Sequence, residues 1–152
     1  MAEIEINDIK RFIGRYSIGR DRGMDSSNFL RVKVPGGFIT SEQFRQVAAM
    51  ALKYSKGYAE ITDRQDIQLH WINAEDTIEI FLKLEELGFT TDMCGQGFKG
   101  PRYGDARNIL CCPVSGIDKD ELIDGHHLMK RLSSFFIGNP DFLDMPRKFK
   151  FS

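Results

Sequence analysis

Between Phe29 and Val34 apolar and polar residues alternate, with Leu30, Val32 and Val34 on one side and Phe29, Arg31 and Lys33 on the other, up to Pro35-Gly36-Gly37. A period of two predicts a half-buried strand closed by a turn. Thr40 followed three residues later by Gln43 has the pattern of a capping box. Phe44, Val47, Ala48 and Ala51 then recur at helical spacing, which predicts a helix ending at Gly57. Tyr58 to Thr62 and Ile67 to Ile72 alternate again around Asp63-Arg64-Gln65-Asp66. They predict two closely joined strands, with Ile67, Leu69 and Trp71 facing the core. Asn73 as N-cap, Ile78, Phe81, Leu84 and Leu87 as an apolar stripe and Gly88 just beyond predict a second helix. Strand, helix, strand, strand, helix opens an α+β fold, a ferredoxin-like α/β sandwich with an antiparallel sheet.

The flanks have a different texture. Residues 1–27 are charged and broken by Gly and Ser, with a short helix expected over Asn7 to Tyr16, and read as an N-terminal extension before a unit spanning 28–93. Residues 94–152 read as part of a second α+β unit. Its expected pieces are a Gly-rich loop from Cys94 to Gly104, an apolar strand over Ile109 to Val114, and a helix from Asp118 to about Phe136. A loop over Pro140 to Met145 and a last strand over Arg147 to Phe151 follow.

Composition narrows the function classes. The 152 residues, 41% hydrophobic and 28% charged, suit a folded domain and not a disordered or fibrous chain. Apolar runs such as Val47 to Leu52 fall far short of the roughly 18 residues of a membrane span. The acidic start, Met1-Ala2-Glu3-Ile4-Glu5, lacks a secretory pattern, so the expected location is cytoplasmic. With 21 Lys and Arg against 22 Asp and Glu, the net charge of -1 points to no nucleic acid and no anionic membrane. Three Cys supply neither a disulfide framework nor four thiolates for an iron-sulfur cluster, and are expected as reduced thiols.

Two motifs are set aside. Gly95-Gln96-Gly97-Phe98-Lys99-Gly100 has the dinucleotide-loop spacing, but Pro101, Tyr103 and Gly104 oppose the helix that would have to open on its third Gly. His126 and His127 are adjacent rather than one helical turn apart, so no metal site is expected from them.

The polar face of the predicted sheet carries more. Alternation places Arg31 and Lys33 together, Glu60 with Thr62, and Arg64 with Gln68 and His70. Such a face is commonly just solvated. Guanidinium, hydroxyl and amide groups on one surface nevertheless suit carboxylates and oxyanions. Asp105-Ala106-Arg107-Asn108 stands between a Gly-rich loop and an apolar stretch, and Lys148 and Lys150 share a face of the last predicted strand. Cations from separate segments, gathered in one cleft, would concentrate and stabilise a small anion.

These segments, in order, resemble the siroheme-dependent nitrite and sulfite reductases. The resemblance rests on Phe29 to Gly37, on Ile61-Thr62-Asp63-Arg64-Gln65-Asp66-Ile67-Gln68-Leu69-His70, on Gly104 to Cys111 with Pro113 and Gly116-Ile117-Asp118, and on Met145 to Lys150. It covers about residues 28–151 of this chain and the first half of a typical family member. It implies that Thr62, Arg64, Gln68, His70 and Asn108 hold siroheme, and that Arg31, Arg107, Lys148 and Lys150 face sulfite or nitrite during a six-electron reduction. Lys150 stands where nitrite reductases tend to carry Asn, which favours sulfite. Asp63 and Glu60 depart from the family's usual residues. The resemblance further implies a 4Fe-4S cluster whose Cys ligands lie in a C-terminal half or partner subunit, and an electron donor protein. A reading of another class is a non-redox module whose cationic sheet face binds a small anion or anionic cofactor.

Overall fold

The computed structural model describes residues 16–20, 27–91 and 107–136. In chain order the elements are β1 (Gly19–Arg20), β2 (Asn28–Lys33), α1 (Ser41–Tyr54), β3 (Ala59–Ile61), β4 (Ile67–Ile72), α2 (Thr77–Glu86), β5 (Thr90–Thr91) and α3 (His126–Phe136). Short 3-10 turns occupy Pro35–Gly37 and Ala74–Asp76. The helix expected over Asn7 to Tyr16, the Gly-rich loop up to Gly104, the loop over Pro140 to Met145 and the strand over Arg147 to Phe151 lie outside the described residues, apart from Tyr16.

All strand pairs are antiparallel. β3 pairs with β4 and β4 with β2; the other edge of β2 is shared by β1 at Asn28 and Phe29 and by β5 at Val32 and Lys33. The order β5-β2-β4-β3, with α1 and α2 as the two crossovers, is that of a ferredoxin-like sandwich. The capping box forms as expected. Thr40 Oγ1 accepts from Gln43 N at 3.2 Å, and Gln43 Oε1 accepts from Thr40 N at 3.0 Å. Asn73 caps the 3-10 turn instead of α2, and its side-chain amide donates to the Asp76 carboxylate.

One face of the sheet makes the core. Leu30, Val32 and Leu69 are fully buried in one cluster with Val47, Met50 and Ala51 of α1 and Ile80 and Leu84 of α2. Each such side chain contributes about 1.5–3 kcal/mol by leaving water. Tyr16 ties the segment before β1 to this core by donating to the Phe89 carbonyl at 2.6 Å.

Four further expectations are corrected. Trp71 does not face the core. Leu30 pairs with Leu69 but Asn28 pairs with Ile72, so β4 carries one extra residue there. This bulge, with Trp71 at φ 55°, reverses the alternation and sends Ile72 into the core at 1% exposure. Trp71 packs instead beside Tyr58, with ring centroids 5.8 Å apart.

Ile109 to Val114 is not a strand: its polar backbone groups are met by side chains and by a turn. Gln65 Nε2 donates to the Cys111 carbonyl at 2.8 Å, Gln65 Oε1 accepts from Cys111 N at 3.2 Å, and Gly36 N donates to the Ile109 carbonyl at 2.8 Å. Finally, α3 begins at His126, not Asp118. Residues 118–125 form turns in which Glu121 accepts from the Ser115 hydroxyl and from Gly116 N, so its carboxylate is engaged outside any helix. Lys33, expected on a solvated face, is 2% exposed.

Candidate functional site

Two polar clusters are built along β2, one at Arg31 and one just past its end at Val34, about 10 Å apart at the rise of a strand. The second is organised by the loop between β3 and β4. Thr62 N donates to the Asp66 carbonyl at 2.9 Å, Gln65 N donates to the Thr62 carbonyl at 3.0 Å, and Gln65 takes φ 62°. This closed loop aims Arg64 and Gln65 at the segment that starts at Arg107. Asp66, 1% exposed, anchors it by accepting from Val34 N at 3.1 Å.

Asn108 is the pin of this cluster. It is 1% exposed, and its Nδ2 donates to the Val34 carbonyl at 2.7 Å and to the Arg64 carbonyl at 2.8 Å. Arg64 Nη2 in turn donates to the Asn108 carbonyl at 2.7 Å. Arg64 Nε, Arg107 Nε and Asn108 Oδ1 are buried and have no hydrogen-bond partner. Buried polar atoms are nearly always paired, so two guanidinium N–H donors and an amide oxygen left open on neighbouring residues of this cluster are available to a ligand that brings the complementary atoms. The donor set is the kind that a carboxylate-bearing group satisfies.

The first cluster lies on the polar face of the sheet. Arg31 donates from Nε at 3.2 Å and from Nη2 at 2.7 Å to Gln68 Oε1. Gln68 Nε2 lies 2.8 Å from His70 Nε2, which is also 3.1 Å from Glu60 Oε2. Tyr58 donates to Glu60 Oε1 at 2.9 Å. That hydroxyl and then the imidazole hold the Glu60 carboxyl below its ordinary range, and Glu60 pushes the Tyr58 phenol up. Phe29 stacks against His70 with centroids 6.4 Å apart, and its ring lies 6.0 Å from Arg31 Cζ.

Among the sequence-derived candidates, Arg31, Gln68 and His70 thus form one hydrogen-bonded chain, and Arg64, Arg107 and Asn108 adjoin in the other cluster. Thr62 belongs to the loop: its Oγ1 accepts from Asp66 N at 3.2 Å, and it also lines a separate cleft of about 480 Å³. That cleft is walled chiefly by apolar groups such as Phe38, Phe44, Ile61 and Ile117. Lys148 and Lys150 lie outside the described residues. Gln65 and Asp66, which hold the loop, and Tyr58 were not singled out from the sequence. The side-chain partners of Gln65 and Asp66, Cys111 and Val34, are 46 and 32 residues away, so no local spacing announces them, whereas Tyr58 meets Glu60 two residues on, a pairing the strand alternation could have found. No group of three or more His, Cys, Asp or Glu among the described residues could hold a metal ion, and no helix among them is long and apolar enough to cross a membrane.

Comparison with known proteins matches residues 22–87 to the family described as "Nitrite/Sulfite reductase ferredoxin-like half domain" and residues 103–152 to "Nitrite and sulphite reductase 4Fe-4S domain". A ferredoxin–nitrite reductase of Leptolyngbya laminosa is 38% identical over 79% of this chain and 23% of its own length. A sulfite reductase [ferredoxin] of Mycolicibacterium paratuberculosis is 36% identical over 80% of this chain and 20% of its own. The solved NirA protein of Mycobacterium tuberculosis superposes with a TM-score of 0.74 at 28% identity, covering 97% of this chain and 29% of that one. The chain therefore spans about a fifth to a quarter of the length of these curated relatives.

Proposed function

Because the chain belongs to the nitrite and sulfite reductase family, as its ferredoxin-like half domain and the start of its 4Fe-4S and siroheme domain, we propose that it forms the cofactor-cradling part of a reductase that acts on sulfite or nitrite. The carrying observation is the trio of buried, unpartnered atoms, Arg64 Nε, Arg107 Nε and Asn108 Oδ1. Anionic oxygens, such as the carboxylates of a tetrapyrrole, fit the two guanidinium donors, and an N–H or protonated group fits the amide oxygen. Siroheme, when bound, supplies the iron through which electrons reach the substrate, and the 4Fe-4S cluster draws its ligands from outside this chain.

Arg64 holds a carboxylate at the loop crossing through Nε. Asn108, whose Nδ2 is spent on Val34 and Arg64, fixes that crossing and offers Oδ1 to an N–H or O–H of the cofactor. Gln68 and His70 hold carboxylates on the sheet face. Thr62, accepting from Asp66 N, keeps its own O–H to donate. Arg31 and Arg107, with Lys148 and Lys150 by family likeness, neutralise the oxyanion and stabilise charge as oxygen leaves as water. Their permanent cations also draw the anion in. Lys150 favours sulfite over nitrite, and ferredoxin, named with both relatives, is the proposed donor type. The expected location is the cytoplasm.

The test is titration of the full chain with siroheme, followed by visible absorption. Binding should shift the Soret-type band, and Arg64→Ala or Gln68→Ala should weaken it about 10- to 100-fold, the worth of one or two charge-assisted hydrogen bonds. No spectral change, or equal binding by both variants, overturns the assignment. Sulfite binding without any siroheme response would favour the non-redox anion module.

A further inference from the structure

The chain has a single Trp, and it occupies the β4 bulge at φ 55°. A bulky residue is strained at positive φ, and such strain collects at functional sites. The bulge sets Trp71 against Tyr58, their rings in a T-shaped contact with centroids 5.8 Å apart. Lys56 Nζ stands 5.1 Å from the centre of the indole. On the other side of the pair, the Tyr58 hydroxyl donates to Glu60 Oε1 at 2.9 Å. An indole, a phenol in ring contact with it and a carboxylate on the phenol proton are the parts of a proton-coupled electron transfer.

We propose that Trp71, Tyr58 and Glu60 form a one-electron relay that carries an oxidising equivalent out to the protein surface. The oxidant is of the peroxide-derived radical class; it takes one electron from the indole, is itself reduced, and leaves a radical cation on Trp71. One electron then passes from Tyr58 to Trp71 and restores the indole, while the phenol proton moves along its existing hydrogen bond to Glu60. Where the indole N–H has already given its proton to water, it takes one back with the electron. The products are a neutral tyrosyl radical, a protonated Glu60 and an intact Trp71. Tyr58 is 47% exposed, so a small thiol reductant reaches it from solvent, gives it one electron and one proton, and Glu60 returns its proton to water.

The placement of charge gives the relay its direction. The Lys56 ammonium over the indole opposes positive charge on Trp71. The Glu60 carboxylate, fixed at the phenol before any electron moves, takes the proton as the electron leaves and so makes Tyr58 the easier group to oxidise. The Tyr58 hydroxyl first and the His70 imidazole second hold the Glu60 carboxyl below its ordinary range, which keeps it ionised and ready to accept. The His70 ring packs against both members of the pair, 5.6 Å from Trp71 and 6.3 Å from Tyr58 between centroids. The other described tyrosines lie elsewhere: Tyr16 donates to the Phe89 carbonyl, and Tyr54 belongs to the apolar core.

The experiment is pulse radiolysis of the full chain without siroheme, with azide radicals, which oxidise indole in preference to phenol. Because the chain has one Trp, the optical signal of the indole radical belongs to Trp71. In the wild-type chain that signal should decay as a tyrosyl signal rises, at a rate independent of protein concentration and slower in D2O. Tyr58→Phe should abolish this phase. Glu60→Gln, which keeps shape and removes the charge, should slow it about tenfold, the worth of exchanging a charge-assisted for a neutral hydrogen bond. Tyr58 and Glu60 are exposed at 47% and, for the side chain, 44%, so both variants are expected to fold. The wild-type trace is decisive even if they do not: an indole radical that decays with no tyrosyl rise, or at a rate proportional to protein concentration, overturns the relay. An unchanged rate in Tyr58→Phe or in Glu60→Gln overturns it as well. Since siroheme is absent throughout, a chain that failed to take up the cofactor would leave this result standing.

Discussion

Asn108 shows how much one side chain can organise. Its amide joins the end of β2 to the loop between β3 and β4, and its carbonyl engages Arg64. Asn108→Ala takes its donor from the Arg64 carbonyl and leaves the Val34 carbonyl with Gly37 N, and should lower the unfolding free energy by about 1–3 kcal/mol, measured by urea denaturation. Asn108 stood out in the sequence as a polar residue in a functional-looking loop. Which carbonyls it serves depended on Val34 and Arg64 being brought beside it, 74 and 44 residues away in sequence. The same holds for Glu60. In sequence it is a departure from the family's usual residue; in space it is a carboxylate within hydrogen-bond reach of a nearly buried imidazole.

Elements were legible where a short-range period or cap decides them. β2, α1 and the β3–β4 pair follow from alternation and from Thr40 and Gln43, whose interactions span a few residues. Failures came where a long-range partner replaced the local pattern: the bulge put Trp71 outside the core, and Gln65 and Gly36 took hydrogen bonds that a strand at 109–114 would have used. Gly36 is the joint of that docking. It adopts φ +64°, donates to Ile109, and leaves room for Met129 of α3; an added Cβ would lie 2.6 Å from Met129 Cε. Gly36→Ala should cost about 1–3 kcal/mol, combining strain at positive φ with displacement of the Met129 methyl. Amide exchange at Gly36 should quicken in that variant more than exchange at the centre of β4.

At the scale of the whole molecule the sheet separates two jobs. One face is a closed apolar core under α1 and α2, and the other holds the polar groups proposed to meet cofactor and anion. Carboxylates at the surface give the molecule a directional response to acid. The Asp124 carboxyl is held below its ordinary range chiefly by the His126 backbone N–H, and Glu60 by Tyr58 and then His70. A lowered value in the folded state means that the unfolded chain binds more protons there, so stability rises with pH across that interval. The thermal midpoint should hold from neutrality down to about pH 4, the ordinary carboxylate range, and fall below it. Asp124→Asn should flatten part of that fall. Both side chains are nearly half accessible to water, so the slope is expected to be shallow and to weaken with salt.

The sequence by itself determined the ferredoxin-like order of elements, the split of the sheet into apolar and polar faces, and the residue types available for an anionic ligand. Those properties follow from periodicity and side-chain chemistry, which act over one turn or one strand. Only the tertiary structure decided that Arg31, Gln68, His70 and Glu60 share one network, that Arg64, Arg107 and Asn108 leave buried polar atoms open together, and that 107–112 docks through side chains instead of joining the sheet. Hydrogen-bond partnership requires atoms within about 3 Å of each other, and across dozens of residues that closeness is set by the packing of the whole fold.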